Sequence, residues 1–185
     1  VGDYETQFLE GMKNRGYERP RGGFKPIHMP KNTGTGVILA GISVVIAFAL
    51  IYSAYVGVAQ GARSRALEIA RKKDGDENLP YLVGEMENAF QTAEMALESM
   101  IHLAETGTPG PETTGRAMTG RILAGQSAIR TVERAMEVAG GASFYRSTGL
   151  ERAFRDVQGA RFHPLQEKPQ LLYAGRLALG LDIDG

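Results

Sequence analysis

The stretch of sequence that decides the fold is VERAMEVAGGASFYRSTGLERAFRDVQGARFHP, which runs from Val132 to Pro164. Its first part is rich in helix-forming residues and ends at a double glycine, Gly140-Gly141. An aromatic pair and then a charged segment follow the double glycine. Glycine accepts positive φ and lets another group approach the backbone closely, so a pair at a helix end marks a cap or a contact. The stretch therefore predicts a helix, a turn and a short helix at about 148–158.

Two amphipathic patterns precede this turn, on either side of a Gly- and Pro-rich break at 107–111. Their apolar positions are spaced three or four residues apart, which is typical of helices with one buried face. These positions are Met86, Phe90, Ala93, Leu97, Met100 and Ala104, and then Met118, Ile122, Gly125, Ile129, Val132 and Met136. Long helices with a short connection indicate antiparallel neighbours. We predict an all-α fold, an up-down helical bundle with a last helix that starts near Pro169.

The front of the chain differs from the rest. Residues 1–36 combine scattered basic residues with several Gly and Pro, which predicts an irregular basic N-terminal segment. Residues 37–185 are predicted to form the bundle domain, with an apolar first helix at about 37–73. Its densest apolar part, 37–59, is long enough to cross a bilayer core of roughly 20 helical residues. A membrane span and the buried first helix of a bundle are both compatible with this pattern.

Composition excludes several classes of site. The 21 basic and 21 acidic residues balance and are spread along the chain, which disfavours nucleic-acid binding. There is no Cys, so disulfides and thiolate chemistry are excluded, which suits a cytoplasmic protein. The three histidines, His28, His102 and His163, are isolated and predict no metal site. GRILAGQS at 120–127 is not a nucleotide loop, because Gln126 replaces the essential Lys and the segment lies in a helical pattern.

Three segments carry a close resemblance to a known family. GEMENAFQTAEMALESM (84–100), the stretch from 135 to 164 and YAGRLALG (173–180) resemble the C-terminal helical domain of acyl-CoA dehydrogenases. The resemblance covers about residues 52–185 and implies a four-helix bundle with extra terminal helices, FAD as cofactor, an acyl-CoA substrate and a homo-oligomer, a dimer or a tetramer. It also implies that Glu137, Gly140 and Gly141 contact the FAD of a neighbouring subunit.

The sequence departs from that family at several functional positions. The family commonly has Gln where this chain has Glu137, and an anion beside a pyrophosphate would repel it. The Arg followed by Phe-Gly after the first bundle helix is absent, since Arg71 leads into KKDGDEN. The catalytic glutamate of a Tyr-Glu-Gly-Thr motif is not reproduced at 164–173, where Glu167 is a loose neighbour, and the alternative base position falls near Ala47. No catalytic residue can therefore be assigned.

The front of the chain resembles a different family. Residues 23–51 look like the start of a late transmembrane helix in subunit I of ubiquinol-type haem-copper oxidases, and IHMPKN (27–32) carries the likeness. The resemblance covers about residues 1–50 and implies a terminal fragment of that subunit. A natural fusion, a truncated reading frame or an artificial join would each give this sequence. We favour a join near residues 47–53, because each half resembles a fragment of a larger parent.

These features predict the C-terminal domain of a flavin-dependent acyl-CoA dehydrogenase that is inactive as an isolated chain. Two alternatives stay open. One is a helical oligomerisation module without catalysis, and the other is a membrane-anchored fragment of a terminal ubiquinol oxidase.

Overall fold

The computed structural model describes residues 34–73, 75–163 and 166–183, apart from the side chains of 34–40 and 42. Over these residues the protein is helical and contains no strand, so the predicted all-α fold is confirmed. The helices are α1 (Gly34–Ala70), α2 (Leu79–Thr106), α3 (Pro111–Ala139), α4 (Leu150–Val157) and α5 (Glu167–Ala178). Short 3₁₀ turns lie at Gly140–Phe144, Arg146–Thr148 and Gln158–Arg161.

Helix α1 presents one continuous face to the bundle. Its buried residues are spaced at helical intervals, and they are Val45, Phe48, Ala49, Tyr52, Val56, Ala59, Ala62, Ala66 and Ala70. The helix passes without interruption through residues 47–53, where a join between two sequences was predicted. It starts and ends about three residues earlier than the predicted 37–73. The predicted irregular segment lies almost entirely outside the described residues.

The same helix is long and apolar enough to cross a membrane. The stretch Ser43–Ala70 passes by length and composition. An 18-residue window within it has a mean hydropathy of 1.8, and 33% of that window is buried within the bundle. Its outward face carries exposed apolar side chains at Val44, Ile46 and Leu50. Core packing therefore accounts for part of the apolar character that marked 37–59 as a candidate span, and the exposed face accounts for the rest.

Helix α2 follows the predicted pattern closely. Pro80 lies in its first turn, where proline needs no hydrogen-bond donor. Its buried residues are Met86, Phe90, Ala93, Ala96, Met100 and Leu103. The α1 residue Arg63 ties the two helices together, because it pairs with Glu87 at 2.7 Å and 2.8 Å and its guanidinium carbon lies 5.0 Å from the centre of the Phe90 ring.

Helix α3 is the centre of the bundle, and its buried face differs from the predicted one. Met118, Ile122 and Met136 are only half-buried, because the small residues beside them take the central positions. The fully covered face consists of Gly115, Ala117, Gly120, Arg121, Ala124, Gly125, Ala128, Ile129, Thr131, Val132, Ala135, Val138 and Ala139. Small side chains let α1 and α2 approach α3 closely. The large apolar side chains of Met118, Ile122 and Met136 therefore lie at the margins of the buried face. The sequence GRILAGQS lies inside this helix, as predicted.

The part of the chain that follows α3 consists of short helices and 3₁₀ turns. Gly149 has φ +73° and precedes α4, which occupies 150–157 within the predicted 148–158. Helix α5 begins at Glu167, two residues before Pro169, and its first turn carries that glutamate. The predicted break at Pro164 lies outside the described residues.

Candidate functional site

The double glycine forms the end of α3, and its two residues differ in role. Gly140 has φ +66°, which L side chains rarely adopt, and its N–H bonds to the carbonyl oxygens of Met136 and Glu137. Gly141 is exposed, and no atom lies within 4 Å of the position that a Cβ would take there. Gly140 is therefore needed by the backbone turn, whereas Gly141 leaves open space for another group to approach.

A lysine that follows the end of α1 completes this turn. Lys73 Nζ donates a 2.7 Å hydrogen bond to the carbonyl oxygen of Val138, and it lies 3.5 Å from the Cβ position of Gly140. An ammonium group at this point complements the negative end of the α3 dipole. The basic run Arg71-Lys72-Lys73 is visible in the sequence. The sequence could not show that Lys73 bonds to Val138, 65 positions later, beside the double glycine.

Glu137 is accompanied by a cation. Its side chain is about half exposed and pairs with Arg134, one turn earlier on α3. Arg134 Nε also lies 2.9 Å from the Glu85 carboxylate of α2, so it stands between two carboxylates. The hydrogen bond with Glu137 raises the pKa of Arg134 above its ordinary value. The repulsion that Glu137 would exert on an approaching anion is therefore reduced.

These features offset the repulsion that the negative end of the α3 dipole would exert on an anionic group that approaches the turn. Gly141 gives room, Lys73 supplies positive charge, and the Glu137 charge is partly compensated. Two exposed aromatic side chains follow the turn, Phe144 at 79% exposure and Tyr145 at 70%. The turn therefore brings open space, a cation and two exposed aromatic rings together at one place on the surface.

The positions considered for a catalytic base are far from this turn. Ala47 is half-buried in α1 and has no titratable group. Glu167 is exposed at the start of α5, and its carboxylate accepts a 3.2 Å hydrogen bond from Gln126 Nε2. Fourteen residues of helix separate Gln126 from Gly140, which places them about 21 Å apart along α3. Glu167 and the double glycine of one chain therefore lie at different places on the bundle.

A second polar cluster lies beside Gln126, and sequence reasoning did not find it. The hydroxyl of buried Tyr52 lies 2.8 Å from the carbonyl oxygen of Ala160 and 2.6 Å from that of His163. One turn along α1, the Tyr55 hydroxyl lies 2.9 Å from Nδ1 of His163. Burial raises the pKa of Tyr52, and the nearby Arg121 guanidinium opposes that rise. The pair Tyr52 and Tyr55 is called the tyrosine tether below.

An apolar groove of about 780 Å³ runs between α2, α3 and α5. Met95 and Leu123 line it, and Glu112 and Arg116 stand among its few charged residues. Met95 is 67% exposed and Leu123 is 46% exposed, so the groove opens to solvent. Within the described ranges, no three His, Asp or Glu side chains come together as a group able to hold a metal ion.

Two relatives with assigned names match the bundle part of the chain. It is 28% identical over 119 residues to the putative acyl-CoA dehydrogenase YdbM of Bacillus subtilis (strain 168), which covers 60% of this chain and 31% of YdbM. It is 31% identical over 142 residues to the amino sugar nitrososynthase RubN8 of Streptomyces rubradiris, which covers 70% of this chain and 34% of RubN8. The chain thus spans about a third of the length of these relatives.

Solved structures show the same fold. KijD3 in complex with FMN and a dTDP-amino-keto sugar superposes with a TM-score of 0.68 at 21% identity, over 77% of this chain and 38% of KijD3. The 3-HSA hydroxylase of Rhodococcus sp. RHA1 gives a TM-score of 0.67 at 22% identity, over 75% of this chain and 38% of the hydroxylase. At these identities the likeness concerns the fold of the helical domain.

The family itself is shown by a match to its model. The family described as acyl-CoA dehydrogenase, C-terminal domain, matches residues 49–167, which is more than half of the chain. That match confirms the resemblance predicted for about 52–185, whereas the oxidase resemblance of 1–50 is not shown and stays a prediction. The chain belongs to the acyl-CoA dehydrogenase family and forms the C-terminal helical domain of that fold.

Proposed function

We propose that this chain forms one wall of a flavin site in a flavin-dependent oxidoreductase. The observation that carries the proposal is the turn at the end of α3, where Lys73 brings an ammonium group to the double glycine and Gly141 leaves room for close approach. The remaining walls come from outside the bundle, since the relatives are about three times as long as the matched segment. Alone, the chain binds flavin weakly and is inactive.

The cofactor we propose is FAD rather than FMN. FAD carries a pyrophosphate and an adenine in addition to the flavin ring, and both suit a cationic turn followed by the exposed aromatic residues Phe144 and Tyr145. The complex of KijD3 with FMN shows that a protein of this fold also takes the shorter cofactor. A direct comparison of the two cofactors therefore tests the choice.

The reaction we propose is α,β-dehydrogenation of an acyl-CoA, as the family name implies. A bound flavin supplies the hydride acceptor for the β-hydrogen in such a reaction. The α-proton goes to a carboxylate within hydrogen-bond reach of the substrate, and a carbon–carbon double bond forms. On this proposal the carboxylate that acts as the base is not Glu167 and does not lie near Ala47. It belongs to another part of the protein.

A second candidate reaction is flavin-dependent oxygenation. It is favoured by Glu167, the loose neighbour of the family's catalytic glutamate, which is exposed and hydrogen-bonded to Gln126 rather than enclosed in an apolar site. Chemistry that removes no α-proton has no need of a carboxylate there. The nitrososynthase and hydroxylase among the similar proteins carry names of that kind.

Titration of the chain with FAD and with FMN, followed by amide NMR, tests the flavin proposal. We expect the amide signals of Gly140, Gly141 and Phe144 to shift with FAD at millimolar concentration and to shift less with FMN. Lys73→Met should weaken FAD binding by about tenfold, the equivalent of one charge-assisted contact of 1.4 kcal/mol. Lys72→Met is the matched control, because it removes a neighbouring charge that has no described contact with the turn.

Glu137→Gln sharpens the same experiment. Removal of the carboxylate should tighten FAD binding by about threefold, since like charges near an anion repel it. Glu133→Gln, one turn earlier on α3, is the control and should leave FAD binding unchanged. Shifts confined to the groove between α2, α3 and α5, or none with either flavin, would count against the flavin proposal.

We further propose that the chain forms a homo-oligomer, and that a second copy covers the apolar groove. The groove carries Glu112 and Arg116 one helical turn apart, so two copies related by a two-fold axis can pair the charges reciprocally. Leu123→Asp should shift sedimentation towards the monomer, and Ser64→Asp on the exposed side of α1 should not. A stable oligomer that binds no flavin would support the rival role of a helical oligomerisation module.

The location we propose is the cytoplasm, with the membrane as the alternative. One face of α1, from Val45 to Ala70, packs into the bundle at helical intervals, which is the arrangement of a core helix. Cell fractionation decides between the two. Extraction in buffer without detergent would exclude the membrane-anchored oxidase fragment, and a requirement for detergent would favour it.

A further inference from the structure

We propose that the tyrosine tether is a positioning device that holds the His163 imidazole as its Nε2–H tautomer, as a hydrogen-bond donor for an oxygen atom of a ligand. The inference concerns the polar cluster at Tyr52, Tyr55 and His163, and it stands independently of the flavin proposal at the double glycine. No part of the acyl-CoA dehydrogenase resemblance assigns a role to these residues.

The tether fixes the histidine at two points. The Tyr52 hydroxyl lies 2.6 Å from the His163 carbonyl oxygen and 2.8 Å from the Ala160 carbonyl oxygen, so it holds the backbone. The Tyr55 hydroxyl lies 2.9 Å from Nδ1 of the same histidine and so holds the ring. Both tyrosines are on α1, and their ring centres are 5.7 Å apart. One rigid helix therefore orients both the backbone and the side chain of His163.

The surroundings of the tether leave it little freedom. Tyr52 is fully buried, and a Cβ added at Gly125 of α3 would lie 2.8 Å from its ring. A Cβ added at Gly159 would lie 2.6 Å from the Tyr55 hydroxyl oxygen. These two glycines let the rings lie against backbone, which keeps the hydroxyl groups aimed at the 158–163 segment. Such confinement is what a positioning role requires and what a freely rotating surface histidine lacks.

The hydrogen-bond direction follows from the partners. Tyr55 has Nδ1 of His163 as its described partner, and a phenol is a better donor than acceptor. When Tyr55 donates to Nδ1, the ring proton resides on Nε2, the nitrogen on the far side of the imidazole. His163 is exposed, so this N–H is offered outside the bundle. Carbonyl, carboxylate and phosphate oxygens are the groups that accept such a bond.

The position of the cluster suits a ligand-facing role. Tyr52 contacts Gly125, and the next residue of α3, Gln126, donates to Glu167 of α5. An imidazole and a carboxylate thus both lie near the middle of α3. This part of the bundle lies about 21 Å along α3 from the double glycine.

NMR of the chain labelled with ¹⁵N-histidine tests the inference directly. Two-bond ¹H–¹⁵N correlations at alkaline pH report which ring nitrogen carries the proton, and His163→Asn assigns the signals. We expect His163 to favour Nε2–H, and Tyr55→Phe to lower that preference by about five- to tenfold, as loss of one hydrogen bond of about 1 kcal/mol implies. His102 serves as an internal reference, because it is exposed on α2 with only a 3.4 Å contact to Thr106 Oγ1.

Two results would overturn the inference. One is a His163 that carries its proton on Nδ1 in the unmodified chain. The other is a tautomer ratio that Tyr55→Phe leaves unchanged. Tyr81→Phe, which removes the hydroxyl of a 78% exposed tyrosine on α2, is the matched control and should leave the His163 spectrum as it was.

Discussion

The C-terminal end and the middle of helix α3 differ in two respects: how easily each is recognised in the sequence, and how closely each is packed in the structure. Its C-terminal end carries the double glycine, a motif that is easily recognised in the sequence. A side-chain hydrogen bond from Lys73, just beyond the end of α1, reaches it. Its middle, around Gly125, carries no motif and yet meets the tyrosine tether and the 158–163 segment at contact distance. The double glycine, which is easy to recognise in the sequence, is therefore the more open region. The stretch around Gly125, which no motif marks, is the more closely packed one.

The largest effect is expected where α3 and the tether touch. Gly125→Val places two methyl groups against the Tyr52 ring and should lower the free energy of unfolding by about 2–3 kcal/mol. Gly57→Val is the matched control, since Gly57 of α1 has no atom within 4 Å of its Cβ position. Urea denaturation of both variants measures the difference. Equal stability of the two would show that the middle of α3 is not tightly packed.

A smaller loss is expected from removal of one tether hydroxyl. Tyr52→Phe leaves the Ala160 and His163 carbonyl oxygens without their common donor, which should cost about 1–1.5 kcal/mol. Tyr81→Phe removes an exposed hydroxyl and should change stability by less than about 0.5 kcal/mol. Thermal unfolding of the pair measures both. A Tyr52→Phe protein as stable as its control would mean that the two hydrogen bonds contribute nothing net.

The open end of α3 should respond more weakly still. Lys73→Met removes the donor to the Val138 carbonyl oxygen and the charge at the helix end, and should lower stability by about 0.5–1 kcal/mol. The effect should shrink at high salt, because partly exposed charges are screened. Denaturation at low and high salt, with Lys72→Met as the control, measures it. A loss as large as that of Gly125→Val would remove the contrast between the two regions.

The smallest effect concerns alkaline pH. Burial raises the pKa of Tyr52 in the folded protein above the ordinary 10.0 of the unfolded chain. The buried hydroxyl therefore contributes stability that is fully present below pH 10 and is lost as the pH rises through the folded pKa. The stability of Tyr52→Phe should fall less steeply above pH 10. Denaturation at pH 8 and pH 11 compares the slopes, and parallel slopes would contradict the assignment.

Much of the fold was predictable because helical periodicity is a local signal. The pattern of Met86, Phe90, Ala93 and Met100 gave the buried face of α2, and the double glycine gave the end of α3. The buried face of α3 was predicted wrongly at its margins, because large apolar residues were taken as central where Ala and Gly permit close helix approach. Periodicity reports which residues are apolar, and it does not report how near the next helix comes.

The candidate site was predicted less completely. Glu137, Gly140 and Gly141 are neighbours in sequence, so a motif could carry them, although their role in flavin binding stays a prediction. Lys73, which follows the end of α1, and Arg134, one turn earlier on α3, contact this motif in the structure. The tyrosine tether connects residues that are more than a hundred positions apart in the sequence. Such contacts depend on the packing of whole helices, which no local pattern encodes.

The groove has a consequence for oxidative chemistry. The chain has no Cys, so methionine is its main sulfur target, and of the described methionines Met95 is the strongly exposed one, whereas Met86 and Met100 are fully buried. Conversion of a thioether to a sulfoxide turns an apolar side chain into a polar one. Damage by peroxide would therefore fall first on the lining of an uncovered groove and leave the bundle core intact, whereas a second copy seated on the groove would protect Met95.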